Sequence, residues 1–160
     1  MIYRLRDLPM VKVTSDYTFT GPNGAVKLAD LFDRRKQLIV HHYMFAPEDE
    51  TGCPDCSFLA DNLPTHLEHL NSRDTTLVFV SRAPFEKIAA FKERMGWRFP
   101  WYSSEGGMFN YDYHVTNDEQ IAPVMYNVST SLPRLFSSII SRFKCKPSGY
   151  PITCYFWSKH

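Results

Sequence analysis

Cys53-Pro54-Asp55-Cys56 places two thiols at the spacing that dithiol chemistry uses. Two sulfurs separated by two residues at a helix start can join and part without large backbone movement. A helix N-terminus presents unpaired N–H groups and a partial positive charge to the first sulfur, and only the thiolate is a good nucleophile. In such a site Cys53 attacks a disulfide or peroxide, and Cys56 resolves the mixed disulfide or sulfenic acid. Pro54 stiffens the turn and suits a first helical position. Asp55 opposes thiolate formation by its charge, while the same charge favours the helix N-terminus.

Zinc uses the same cysteine spacing, and His66-x2-His69 follows downstream. If residues 57–70 are helical, His66 lies roughly 15 Å along the axis from Cys56. A metal with bonds of about 2 Å does not span that gap. A break at Pro64 would shorten it, so zinc stays as an alternative behind redox chemistry. Cys145 and Cys154 lack the spacing of a usual zinc knuckle. His41 and His42 alternate on a strand-like run, so one of them can lie under the cysteine loop; buried, hydrogen-bonded histidines are the plainer expectation. Arg82 reads as a solvated arginine that could steer an anion. Trp97, Trp101, Tyr102, Phe109, Tyr111 and Tyr113 read as core.

The elements that must position the cysteines are legible from patterning. Gln37 to Phe45 and Thr76 to Ser81 are near-continuous apolar runs, as expected for strands covered on both faces. Between them, residues 57–71 carry Leu59, Leu63, Leu67 and Leu70 at helical spacing, with Pro64 expected to kink or split the helix. Pro84 to Met95 is a second helix, with Pro84 in its first turn and Gly96 as its cap. Residues 11–13 and 17–20 are short strands, Tyr17 to Leu28 a hairpin around Gly21-Pro22-Asn23-Gly24, Leu28 to Phe32 a helical turn, and Phe99 to Ser103 a further short strand. The sum is an α/β fold with a central mixed sheet flanked by helices, with the chemistry at the carboxyl ends of its strands. Leu132, Leu135, Phe136, Ile139, Ile140 and Phe143 predict an amphipathic helix over 132–143, and Ile152 to Trp157 a final strand.

The chain has 160 residues and a net charge of +1. All 17 acids fall before residue 120, whereas Arg134, Arg142, Lys144, Lys146 and Lys159 follow it. A mildly acidic body thus carries a basic, acid-free tail. No apolar run reaches the length of a membrane span, and Arg4, Arg6 and Asp7 stand where a signal peptide would be apolar. A cytoplasmic location, no membrane partner, no nucleic-acid partner and no cofactor are expected.

Leu8-Pro9-Met10-Val11-Lys12-Val13, Asp16-Tyr17-x-Phe19-x-Gly21-Pro22-x-Gly24, Gly52-Cys53-Pro54-x-Cys56-Ser57, Val80-Ser81-Arg82-Ala83-Pro84 and Met95-Gly96-Trp97-x-Phe99-Pro100-Trp101 together resemble a thioredoxin-like family catalogued as domain of unknown function 899. That family is similar in layout to peroxiredoxins. The resemblance covers about residues 4–127 and implies a thioredoxin fold with Cys53 and Cys56 as the redox pair. It implies a disulfide or peroxide substrate and a thiol reductant as partners, but no particular substrate. Most members carry glycine where this chain has Asp55, and the likeness fades after Asn127, where a strand and hairpin normally follow, which implies a thioredoxin-like domain over 1–127 and a divergent basic tail over 128–160. Thioredoxin-like folds set a cis-proline against the redox cysteine, for which Pro123 and Pro133 are the candidates. The expected function is a thiol–disulfide oxidoreductase or thiol-dependent peroxidase, the alternative being a redox-inactive interaction module of the same fold.

Overall fold

The computed structural model describes residues 11–64, 66–113, 115–116, 140–146 and 153–157. The expected hairpin forms from β2 (Thr18–Gly21) and β3 (Gly24–Lys27), with Gly21 opposite Gly24. A 3-10 turn at Asp30–Phe32 buries Leu31 and Phe32 and leads into β4 (Gln37–His42). The helical stretch after Cys53 is split as Pro64 requires, because that residue has no N–H to donate. The pieces are α1 (Pro54–Asp61) and α2 (Glu68–Asn71). Helix α1 starts at Pro54 rather than near Ser57, so Cys53 is its N-cap.

Strand β5 (Thr75–Ser81) is buried along its whole length, and α3 (Phe85–Met95) follows with Pro84 as N-cap. Gly96 ends α3 in the left-handed conformation, φ 69°, which glycine adopts at no steric cost. Strand β6 (Trp101–Ser103) and a short helix α4 (Phe109–Asp112) come next. Strands β7 (Ile140–Lys146) and β8 (Thr153–Trp157) close the order, with β1 (Val11–Lys12) paired to β8.

The eight strands among the described residues form one mixed sheet, in the order β1-β8-β7-β4-β5-β6-β2-β3. Strands β4, β5 and β6 are parallel, with His41 opposite Phe79 and Val80 opposite Tyr102, so their carboxyl ends meet at one end of the sheet. One face buries Leu38, Val40, Val78 and Val80 against Phe19, Phe32 and Phe109. The other buries Tyr43, Leu77, Phe79 and Trp101 against Cys56 and Ala60 of α1 and Ile88 and Phe91 of α3. Alternation along buried strands thus divides the core in two, and α1 lies on the more aromatic half.

The tail requires a correction. Residues 140–143, expected to be helical, open β7, which pairs antiparallel with β4 from Gln37↔Lys144 to His41↔Ile140. The residues 132–139 of the expected helix, and both Pro123 and Pro133, lie outside the described residues. Arg142-Phe143-Lys144-Cys145-Lys146 also alternates polar and apolar, a strand period overlapping the helical one. The unpaired edge of a buried β4 decides between them, because its N–H and C=O groups need partners. Strand β8 agrees with the strand expected over 152–157.

Candidate active site

Cys53 caps α1 with extended backbone, φ −58° and ψ 129°. Its N–H donates to the Met44 carbonyl at 3.1 Å, which ties the helix start to the chain leaving β4. The Cys53 carbonyl accepts the Ser57 N–H at 2.9 Å and the Ser57 hydroxyl at 3.0 Å. The Tyr43 hydroxyl lies 2.6 Å from Ser57 Oγ and 3.3 Å from that carbonyl. The cysteine backbone is therefore held on three sides while its side chain stays half-buried, with the thiol free.

Cys56 is 1% exposed, one turn into α1 and against the aromatic core. Burial pushes its thiol up to about 12, because a thiolate there loses its water. A hydrogen bond from the Met44 backbone opposes that shift, whereas the charge and hydrogen bonding of the neighbouring Cys53 thiol, and then the charge of Asp55, add to it. Met44 thus touches both cysteines, through its carbonyl to Cys53 and its backbone to Cys56.

Tyr43 is the floor of the site. Its ring lies 4.5 Å from that of Trp101, centroid to centroid, and it is buried. Its phenol is pushed up from the ordinary value, first by burial. Its carbonyl accepts the Ser81 hydroxyl at 2.8 Å, and Ser81 Oγ in turn accepts the Trp101 indole N–H at 2.9 Å. Gly52 lies directly on the ring: a β-carbon there would sit 2.8 Å from Tyr43 Cε1. Sequence reasoning gives Gly52 and Ser57 only as members of the Gly52-Cys53-Pro54-x-Cys56-Ser57 motif, with no role, and Tyr43 not at all. A serine four residues after a cap is a known back-bonding position, so Ser57 carried a usable signal. Tyr43 was hidden inside an apolar run.

His41 and His42 are both buried, on opposite faces as alternation requires. The His41 ring is 4.6 Å from Phe79 and 6.3 Å from Tyr43, and neither of its nitrogens has a hydrogen-bond partner among the described residues. Burial drives it down to about 4, so it is neutral near pH 7. His42 stacks on Phe109 at 5.3 Å. The expectation of a hydrogen-bonded histidine therefore fails for His41. Arg82, at the end of β5, lies 5.3 Å over the Tyr111 ring. Trp101 is in the aromatic core as expected, whereas Trp97 is half-buried against it and donates to Asp61 at 2.8 Å. His66 and His69 are exposed, and no cluster of three metal-ligating side chains occurs among the described residues.

Sequence comparison settles the family. A model of bacterial proteins of unknown function, DUF899, matches residues 3–140. The chain belongs to the DUF899 family. A search of curated proteins finds no match. Among solved structures, this DUF899 member is similar to a mutant of PrxQ from Xylella fastidiosa, with TM-score 0.57 and 15% identity over 94% of this chain and 86% of that one. It is similar to peroxiredoxin Q from Xanthomonas campestris, with TM-score 0.57 and 17% identity over 96% and 89% of the two chains. A bacterioferritin comigratory protein from the same organism, solved in a study of alkyl peroxide reduction, gives TM-score 0.52 and 17% identity over 89% and 81%. The DUF899 chain therefore has the thioredoxin fold, and no helix among its described residues is long and apolar enough to cross a membrane.

Proposed function

We propose that this protein is a dithiol oxidoreductase in which Cys53 is the attacking thiol and Cys56 the resolving one. The observation that carries the reading is the asymmetry of the pair. Cys53 caps a helix with a half-buried free thiol, and Cys56 is sealed behind it with its thiol held protonated. In a turnover the Cys53 thiolate attacks one sulfur of a substrate disulfide, and the other sulfur leaves as a thiolate. Cys56 then gives up its proton and attacks the Cys53 sulfur, which releases the second substrate thiol and leaves a Cys53–Cys56 disulfide. Two electrons have passed to the substrate, and an external dithiol reductant returns them.

The geometry times the second step. The Cys53 thiol itself helps to hold Cys56 protonated, and that influence ends once Cys53 is bonded to substrate. The Met44 hydrogen bond, which favours the Cys56 thiolate, remains. Burial, the first cause, persists, so the Cys56 thiol is eased toward its thiolate without reaching the value of a free cysteine.

A hydroperoxide is a second electrophile for the same thiolate. Attack on the peroxide oxygen gives a sulfenic acid at Cys53 and an alcohol, and Cys56 then displaces water to form the same disulfide. The similarity to a protein studied for alkyl peroxide reduction supports this extension. The deciding experiment is mass spectrometry after an excess of oxidised glutathione or hydrogen peroxide. A Cys53–Cys56 disulfide is expected; both cysteines still reduced under oxidation, while Cys53 remains open to alkylation, would overturn the reading.

A further inference from the structure

We propose that the surface around Cys53 docks a polypeptide whose disulfide is flanked by lysine or arginine and by an apolar residue. The inference rests on the dithiol reading above and names its substrate class. Phe58 is 73% exposed on α1, one turn beyond the Cys53 cap, and Met44, whose backbone holds both cysteines, is 41% exposed. Pro54 is exposed on the same side of the helix as Phe58, since the two are four residues apart. A phenylalanine left in water on the helix that Cys53 caps marks a contact surface rather than a core position.

Charge selects the occupant. From Lys36 to Arg73 the chain carries Glu48, Asp49, Glu50, Asp55, Asp61 and Glu68, and between those two basic residues there is no lysine or arginine. Asp55 and Asp61 stand three residues before and after Phe58, so a carboxylate flanks the ring on each adjoining turn. Glu48 and Glu50 are exposed on the loop that enters Cys53. Lys87, which donates to the Pro47 carbonyl at 2.9 Å, Arg82, which packs on Tyr111, and Arg98, which lines one cavity with Asp61, keep their charges, but Glu48, Asp49, Glu50, Asp55 and Asp61 outnumber them. The rim field is therefore negative: it repels acidic substrates and draws basic ones, an effect that salt screens over about 10 Å at 0.1 M.

Two arms test this, one of them free of chemistry. In the first, the full-length protein reduces two peptide disulfides of equal length, one with Lys and Leu beside the cysteine and one with Glu and Leu, and also 2-hydroxyethyl disulfide. The basic peptide is expected to react about tenfold faster than the acidic one at low salt, with the ratio collapsing at 0.5 M salt and in E48Q/E50Q. Phe58→Ser should slow the basic peptide about fivefold and leave 2-hydroxyethyl disulfide within twofold. Equal peptide rates, or an equal loss on all three disulfides, overturns the proposal. If no disulfide is reduced at all, the oxidoreductase reading fails, and the second arm decides docking alone. There the Cys53→Ser/Cys56→Ser protein is titrated with both peptides, their cysteines replaced by serine, and fluorescence anisotropy is read. Tighter binding of the basic peptide, lost in Phe58→Ser, supports docking. Indifference to peptide charge overturns it, as does a dimer that Phe58→Ser dissolves without any peptide preference.

Discussion

Gly52 and Tyr43 share one space: the backbone before the first cysteine lies on the Tyr43 ring, with no room for a β-carbon between them. The contact couples the aromatic core to the reactive loop. Tyr43 is fixed from below by Trp101 and, through its backbone, by Ser81. Its hydroxyl meets Ser57 above. The position of Cys53 is thus inherited from packing that contains no thiol.

Gly52→Ala tests that coupling. The added methyl meets the ring rather than a flexible chain end, so the loop or Tyr43 must move. A loss of about 1–3 kcal/mol is expected from overpacking, read as a lower urea midpoint. Combining it with Tyr43→Leu should cost less than the sum of the two single changes, because both act on one contact. Strict additivity would show that the contact does not carry the effect.

Ser81→Ala removes the hydroxyl that joins the Trp101 indole N–H to the Tyr43 carbonyl. Both groups are then left unpaired in a buried site. The expected cost is about 1–3 kcal/mol, accompanied by a shift of tryptophan emission. Ser81→Cys should recover little, since sulfur is a weak partner.

The Cys56 thiol should depend on its neighbour. In the folded protein at pH 7.5, iodoacetamide is expected to modify Cys53 and to leave Cys56 intact, with both open to it in urea. In Cys53→Ala the Cys56 thiol loses two influences that push it up, so its alkylation profile should move to lower pH while burial keeps it above that of free cysteine. An unmoved profile would show that the pair is not coupled.

Acid should weaken the fold through His41. In the unfolded chain a histidine takes up its proton below about 6.5; in the fold His41 does so only near 4. Between those values the unfolded state holds more protons, so unfolding free energy falls as pH drops through the window. Urea midpoints at pH 7.5, 6 and 4.5 should decline in that order, and more shallowly in His41→Met. His42, driven down to about 3 with burial as the first cause, adds to the decline in the parent and persists in the variant.

The sequence by itself determined the parallel pair of strands, the break at Pro64, the Gly96 cap and the placing of Cys53-x2-Cys56 at a strand–helix junction. These are local or periodic signals: an apolar run, a missing N–H, a positive φ, a spacing. Tertiary structure alone decided that residues 140–146 pair with β4, because a helical and a strand period overlap there and an open sheet edge breaks the tie. It also decided which side chains hold the cysteines. Tyr43 reads as one more apolar residue until Gly52, Ser57 and Trp101 are brought around it from three other segments. The CxxC spacing announces two thiols, but the burial that makes one a resolving thiol and leaves the other open depends on what packs against them, and no local pattern records that.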